Sequence, residues 1–127
     1  MAFKFPDKDP DEKLDYTVDW SRYLQRDDLI IASVTWKIEK ADGTAIAFSE
    51  GYSFQNDVLV LNSPSTTGLT NSLIAPPTNT TSTIVLDKGQ ANKTYTLICE
   101  ITTSTSSKTT DTITTNRRIK LKVRERI

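Results

Sequence analysis

The sequence predicts an all-β protein, an antiparallel sandwich in one domain. Three observations predict it. Every sustained apolar pattern has period two, Thr and Ser supply 31 of 127 residues and concentrate after Ser63, and no segment shows helical periodicity of useful length. A chain of this length falls in the single-domain range and buries enough surface for a core without metal or disulfide staples. Sixteen basic residues balance sixteen acidic ones, so no net field draws the chain onto nucleic acid or an anionic membrane, and neither is expected as a partner.

Residues 1–12, interrupted by Pro6 and Pro10, read as an extended N-terminal arm that needs a partner surface to become ordered; the domain proper spans residues 13–127. Leu14, Tyr16, Val18 and Trp20 then alternate with Asp15, Thr17, Asp19 and Ser21, the pattern of a half-buried strand. After a charged connection over residues 23–28, a second strand places Ile30, Ala32, Val34, Trp36 and Ile38 on one face and Ser33, Thr35, Lys37 and Glu39 on the other. Asp42-Gly43 suits the positive φ angles of a hairpin turn, and Ile46 and Phe48 resume the alternation. Gly51 breaks it and Tyr52 and Phe54 restart it. Residues 58–61 are either a continuation or a separate short strand.

Residues 62–80 contain Pro64, Gly68, Pro76 and Pro77 with only Leu69, Leu73 and Ile74 as large apolar residues. A structureless loop of that length is uncommon, so the segment either hides a short edge strand or contacts another molecule. Residues 81–86 form a strand and Asp87-Lys88-Gly89-Gln90 a turn. Tyr95, Leu97, Cys99 and Ile101 share one strand face, and the Ser- and Thr-rich residues 102–115 form the tip of a hairpin. Its return strand turns Ile119, Leu121 and Val123 inward, for a total of about seven strands.

The residue inventory excludes most chemistry. Histidine is absent, which removes the commonest general base and the commonest zinc ligand. The single Cys99 permits no internal disulfide and, beside Leu97 and Ile101, reads as an inert small hydrophobe. Asp7, Asp9 and Asp11 have the alternation of a calcium loop, but Glu12 stands where the sharp-turn Gly is needed and Val18 where the closing Glu belongs, so neither metal nor cofactor is expected. Four dispersed glycines form neither a nucleophile elbow nor a phosphate-binding loop, and a hydroxyl nucleophile lacks a His to activate it. Asn79 and Asn92 open glycosylation-type triplets without the apolar run of a secretory signal, and no apolar stretch approaches the roughly 20 residues that span a bilayer.

Charge is distributed unevenly. Residues 1–28 hold eight acids and five bases, whereas Arg117, Arg118, Lys120, Lys122, Arg124 and Arg126 form a basic ridge near the end. Pairing within one molecule is the expected use of that ridge, with Asp9, Asp11 and Asp15 facing Lys120, Lys122 and Arg124. The arm is expected to touch a partner.

Two resemblances follow. Tyr95-x-Leu97-x-Cys99, with Gly89 shortly before it and Trp36 on an earlier strand, resembles the penultimate strand and core tryptophan of an immunoglobulin-like or fibronectin-type sandwich. Lys8-Asp9-Pro10-Asp11-Glu12-Lys13-Leu14-Asp15-Tyr16-Thr17-Val18-Asp19-Trp20, with Ile31-Ala32-Ser33-Val34-Thr35-Trp36, resembles the opening of small tailed-bacteriophage virion proteins of the fibre-tail adaptor type. Ile119-Lys120-Leu121-Lys122-Val123-Arg124-Glu125-Arg126 is similar to their end, while between Lys40 and Thr80 this chain is longer than their pattern. The first resemblance implies an immunoglobulin-like sandwich, and the second implies a non-enzymatic adaptor at the neck or tail of a virion. It also implies synthesis in the host cytoplasm and contacts with fibre, tail or portal and neck components in multiple copies. Partner contacts then fall to Phe3, Phe5, Asp7, Asp9 and Asp11 in the arm, to Leu69, Leu73 and Ile74 in the long segment, and to exposed sheet edges. Two other readings stand beside this one: a host-surface or glycan-binding module stacking exposed Trp or Tyr on sugar rings, and a carbohydrate-active enzyme using Asp and Glu. Burial of both Trp20 and Trp36 would weigh against the glycan-binding module.

Overall fold

The computed structural model describes residues 3–25, 29–61, 68–104 and 112–125. Along the chain run Phe3–Lys4 (β1), Leu14–Asp19 (β2), Ser21–Leu24 (α1), Ile31–Glu39 (β3), Ala45–Ala47 (β4), Tyr52–Gln55 (β5), Val58–Leu61 (β6), Leu69–Ile74 (β7), Thr81–Asp87 (β8), Lys93–Thr103 (β9) and Thr114–Val123 (β10). They build two five-stranded sheets, ordered β1-β10-β9-β3-β4 and β2-β8-β7-β5-β6, packed face to face as an all-β sandwich. All strand pairs are antiparallel except β1 on β10.

The alternation written in the sequence is the alternation of burial. Tyr16 and Val18 point inward from β2, Ile84 and Leu86 from β8, Leu97, Cys99 and Ile101 from β9, and Ile119, Leu121 and Val123 from β10. Trp36 lies beside Cys99 in the β3–β9 register, and both are buried. One polar chain crosses the interior: the Trp20 indole N–H donates to Ser82 Oγ at 3.3 Å, and that hydroxyl lies 3.0 Å from Cys99 Sγ on the opposite sheet.

Among the described residues there are ten strands where about seven were expected, and each addition has an identifiable cause. Asn56 and Asp57 both have positive φ, 48° and 63°, which is the backbone of a tight hairpin turn; residues 58–61 therefore fold back on β5 as a separate strand. The residue 62–80 segment hides a strand, but β7 is not at an edge. It lies between β5 and β8, and its Asn71 is tolerated in the interior because Nδ2 donates to the Phe48 carbonyl at 2.8 Å. Gly68, entering β7, permits the close approach to β5: a Cβ there would stand 2.6 Å from the Phe54 carbonyl oxygen.

β1 is the third addition. The arm does not wait for a partner, since the Phe5 and Lys8 N–H groups donate to Lys120 and Lys122 carbonyls at 2.9 Å, and Arg124 N–H returns to the Lys8 carbonyl at 2.8 Å. The expected inward face of the second strand also needs correction at its start. A bulge between Ile31 and Ser33 shifts the register, so Ile31 is buried while Ile30 and Ala32 are exposed; Trp36 and Ile38 keep their expected face. The connection after Trp20 opens with the single turn α1, started by Asp19 Oδ1 accepting the Ser21 N–H at 2.8 Å. Parts of three expected features, residues 26–28, 62–67 and 105–111, lie outside the described residues.

Candidate interaction surface

The arm residues are largely used within the molecule. Phe5 is buried and packs on Tyr16 with ring centroids 4.6 Å apart. Asp7 bridges Lys4 and Arg124, at 3.4 Å to each; partial desolvation pushes its carboxyl up, but hydrogen bonds and charge from those two cations outweigh this and hold it below the ordinary value. Asp9-Pro10-Asp11-Glu12 is a tight turn. Glu12 N–H donates to the Asp9 carbonyl at 3.0 Å, Asp9 N–H to Glu12 Oε1 at 2.8 Å, and Asp11 N–H to Asp9 Oδ1 at 2.8 Å. Asp11 itself is exposed, and the backbone of Phe3 lies beside Ile119.

The turn surrounds a fully buried lysine. Lys8 Nζ donates to the carbonyls of Asp9 at 2.9 Å and Lys88 at 2.7 Å. Burial pulls its pKa down, while the charges of Asp87, Glu12, Asp9 and Asp11 push it back up in part. The acidic cluster thus has a structural use that residue spacing does not disclose. Among the described residues, no three Asp, Glu, Cys or His side chains converge in a metal-binding group.

The basic ridge is also mostly occupied, though not by the acids expected. Arg118 pairs with Glu39, Arg124 with Asp7, and Arg117 lies over the Trp20 ring at 4.4 Å while donating to the Asp19 carbonyl at 3.2 Å. Asp15 sits on the other sheet. Lys120 and Lys122 are exposed and form no ion pair among the described residues.

In the long segment, Leu69 is fully buried and Ile74 is half-buried, its N–H donating to Glu50 Oε1 at 2.6 Å. A bulge between Asn71 and Leu73 turns Leu73 outward opposite Val85, leaving it 46% exposed. The surface that sequence reasoning missed lies two strands away in the same sheet. β6 is an edge strand of four consecutive apolar residues, with Val58 55% and Leu61 71% exposed, and Tyr52 of β5 stands exposed beside Leu61. The signal that would have found it is Asn56-Asp57, a hairpin dipeptide followed at once by an uncharged apolar strand. Trp20 and Trp36 are both buried, so neither offers a ring to a sugar. No helix among the described residues is long and apolar enough to cross a membrane.

The described surface thus combines an exposed apolar edge strand with charges that are mostly paired within the molecule. A family model described as the podophage GP4 fiber-tail adaptor protein gp77 matches residues 8–116. The chain belongs to this adaptor family. The match begins at the buried Lys8, runs through residues 40–80 and ends before Ile119, so the closing basic segment lies beyond it. A comparison with curated proteins finds no match.

Proposed function

We propose that the chain is a non-enzymatic structural adaptor in a bacteriophage virion, joining fibre, tail or portal and neck components by surface contact, in several copies and after synthesis in the host cytoplasm. The family match over residues 8–116 carries this reading. We also read the sandwich as immunoglobulin-like. Its neighbours β2-β8-β7 and β10-β9-β3 follow the B-E-D and G-F-C orders of that fold, and the Tyr95 hydroxyl accepts the Gln90 N–H at 3.0 Å, as a tyrosine corner does. Of the contact residues expected from sequence, Asp11 and Leu73 are exposed and free to meet a partner, and Leu73, opposite Val85, presents the apolar side chain that suits a protein contact.

The test is assembly of phage lacking this chain. Particles are expected to package DNA yet lose fibre or tail components in a virion mass spectrum, and Leu73→Glu is expected to fold but incorporate poorly. Particles of unchanged composition would overturn the reading.

A further inference from the structure

We propose that two copies of the chain pair through β6, antiparallel about a two-fold axis at Val60, fusing two five-stranded sheets into one of ten strands. This goes beyond the adaptor reading and concerns the purified chain alone.

An edge strand presents unpaired N–H and C=O groups that can template another strand, and proteins blunt such edges by shortness or charge. Among the described residues the other edges are blunted. β1 and β4 are two and three residues long, and β2 presents exposed Asp15 and Asp19. β6 is Val-Leu-Val-Leu without a charge. The nearest acid, Asp57, is held in the turn, where Oδ2 accepts the Ala41 N–H at 3.2 Å.

The register selects a second copy as the occupant. Leu59 lies opposite Phe54 of the core, so Leu59 and Leu61 share the inner face while Val58 and Val60 share the outer. Residues directly opposite in an antiparallel pair lie on the same face, so a symmetric pair must be centred on a residue. Centring on Leu59 would set Asp57 against Leu61. Centring on Val60 sets Leu59 against Leu61 of the second copy on the inner face and Val60 against Val60 on the outer. Within residues 59–61 like meets like on both faces, as an isologous interface requires, and no charge opposes another; Val58 falls opposite residue 62, which lies outside the described residues. So short an edge buries less than the roughly 1,200 Å² of a stable interface, so the dimer is weak and concentration-dependent in solution. Many copies held close in one assembly would raise its occupancy.

Sedimentation of the purified chain across micromolar concentrations tests this. A reversible dimer is expected, insensitive to salt, and Val60→Lys or Leu61→Lys should raise its dissociation constant about tenfold or more with an unchanged circular dichroism spectrum. Oxidised Val60→Cys should form a covalent dimer across the axis, whereas Val58→Cys should not; buried Cys99 leaves the background low. A monomer at every concentration, a dimer indifferent to Val60→Lys, or equal cross-linking at both positions would overturn the proposal. So would cross-links from β6 in whole particles that reach only a different virion protein. A monomer that still enters particles would sink the dimer and leave the adaptor reading standing, and a dimer that never enters them would do the reverse.

Discussion

The ammonium of Lys8 donates at 2.7 Å to the carbonyl of Lys88, a residue 80 positions away, and so ties the N-terminal segment to the turn between β8 and β9. The Lys8 side chain is fully buried, which makes the loss of its partners costly. Lys8→Ala would orphan the Lys88 carbonyl, leave the Asp9 carbonyl with only its Glu12 N–H donor and open a void, and should destabilise the fold by about 2–4 kcal/mol in a urea titration. Deleting residues 1–8 should lower stability as well, because Phe5 leaves the core and β10 loses its neighbour. Burial lowers the Lys8 pKa from 10.5, so its contribution is present above that value and lost as pH falls through the folded one. Stability from this group therefore rises with pH in the alkaline range, and Lys8→Met should remove that rise.

Trp36 and Leu73 should separate fold from contact. Trp36 is 1% exposed in the middle of the core, so Trp36→Ala should cost about 3–5 kcal/mol by denaturant unfolding. Leu73→Ser, on the outward side of the β7 bulge, should stay within about 0.5 kcal/mol of the parent.

Gly68→Ala tests how tightly β7 is pressed against β5. The added methyl would run into Gln55 Cγ and stand 2.6 Å from the Phe54 carbonyl oxygen. The glutamine can swing away, but the backbone oxygen belongs to the ladder and cannot. A loss of about 1–3 kcal/mol is expected, read as a lower denaturation midpoint.

Cys99 and Tyr95 should give the protein an alkaline limit. Burial raises the Cys99 thiol, with hydrogen bonds to Ser82 and Trp20 lowering it in part, and burial raises the Tyr95 hydroxyl against the Gln90 hydrogen bond. A raised folded pKa gives stability that is full below the unfolded value and lost as pH climbs through the folded one. The loss should therefore begin near pH 9.0 for Cys99 and 10.0 for Tyr95, and Cys99→Ala should flatten the first part. Native Cys99 should also resist thiol reagents until the chain unfolds, as absorbance with a chromogenic disulfide would show.

The sandwich was legible because its evidence is local. Tyr16, Val18, Trp36, Leu97 and Leu121 sit at period-two positions, and a strand that buries one face writes that face into adjacent residues. Asp42-Gly43 was readable for the same reason, and Gly43 has the positive φ such a turn needs. Residues 62–80 misled because Leu69 and Asn71 owe their burial to strands remote in sequence, with Asn71 Nδ2 donating to the carbonyl of Phe48, 23 residues earlier.

The sequence by itself determined the all-β class, the strands with strict alternation, and the exclusion of histidine and disulfide chemistry. Only the tertiary structure decided that Lys8 is buried, that Phe5 completes the core, that Ile30 turns out and Ile31 in, and that β7 is interior while β6 is an edge. The physical reason is the range of the interaction. Periodicity reports which side of a strand is apolar, but sheet order is set by pairings between distant segments, and these alone determine which backbone groups remain unpaired for another chain.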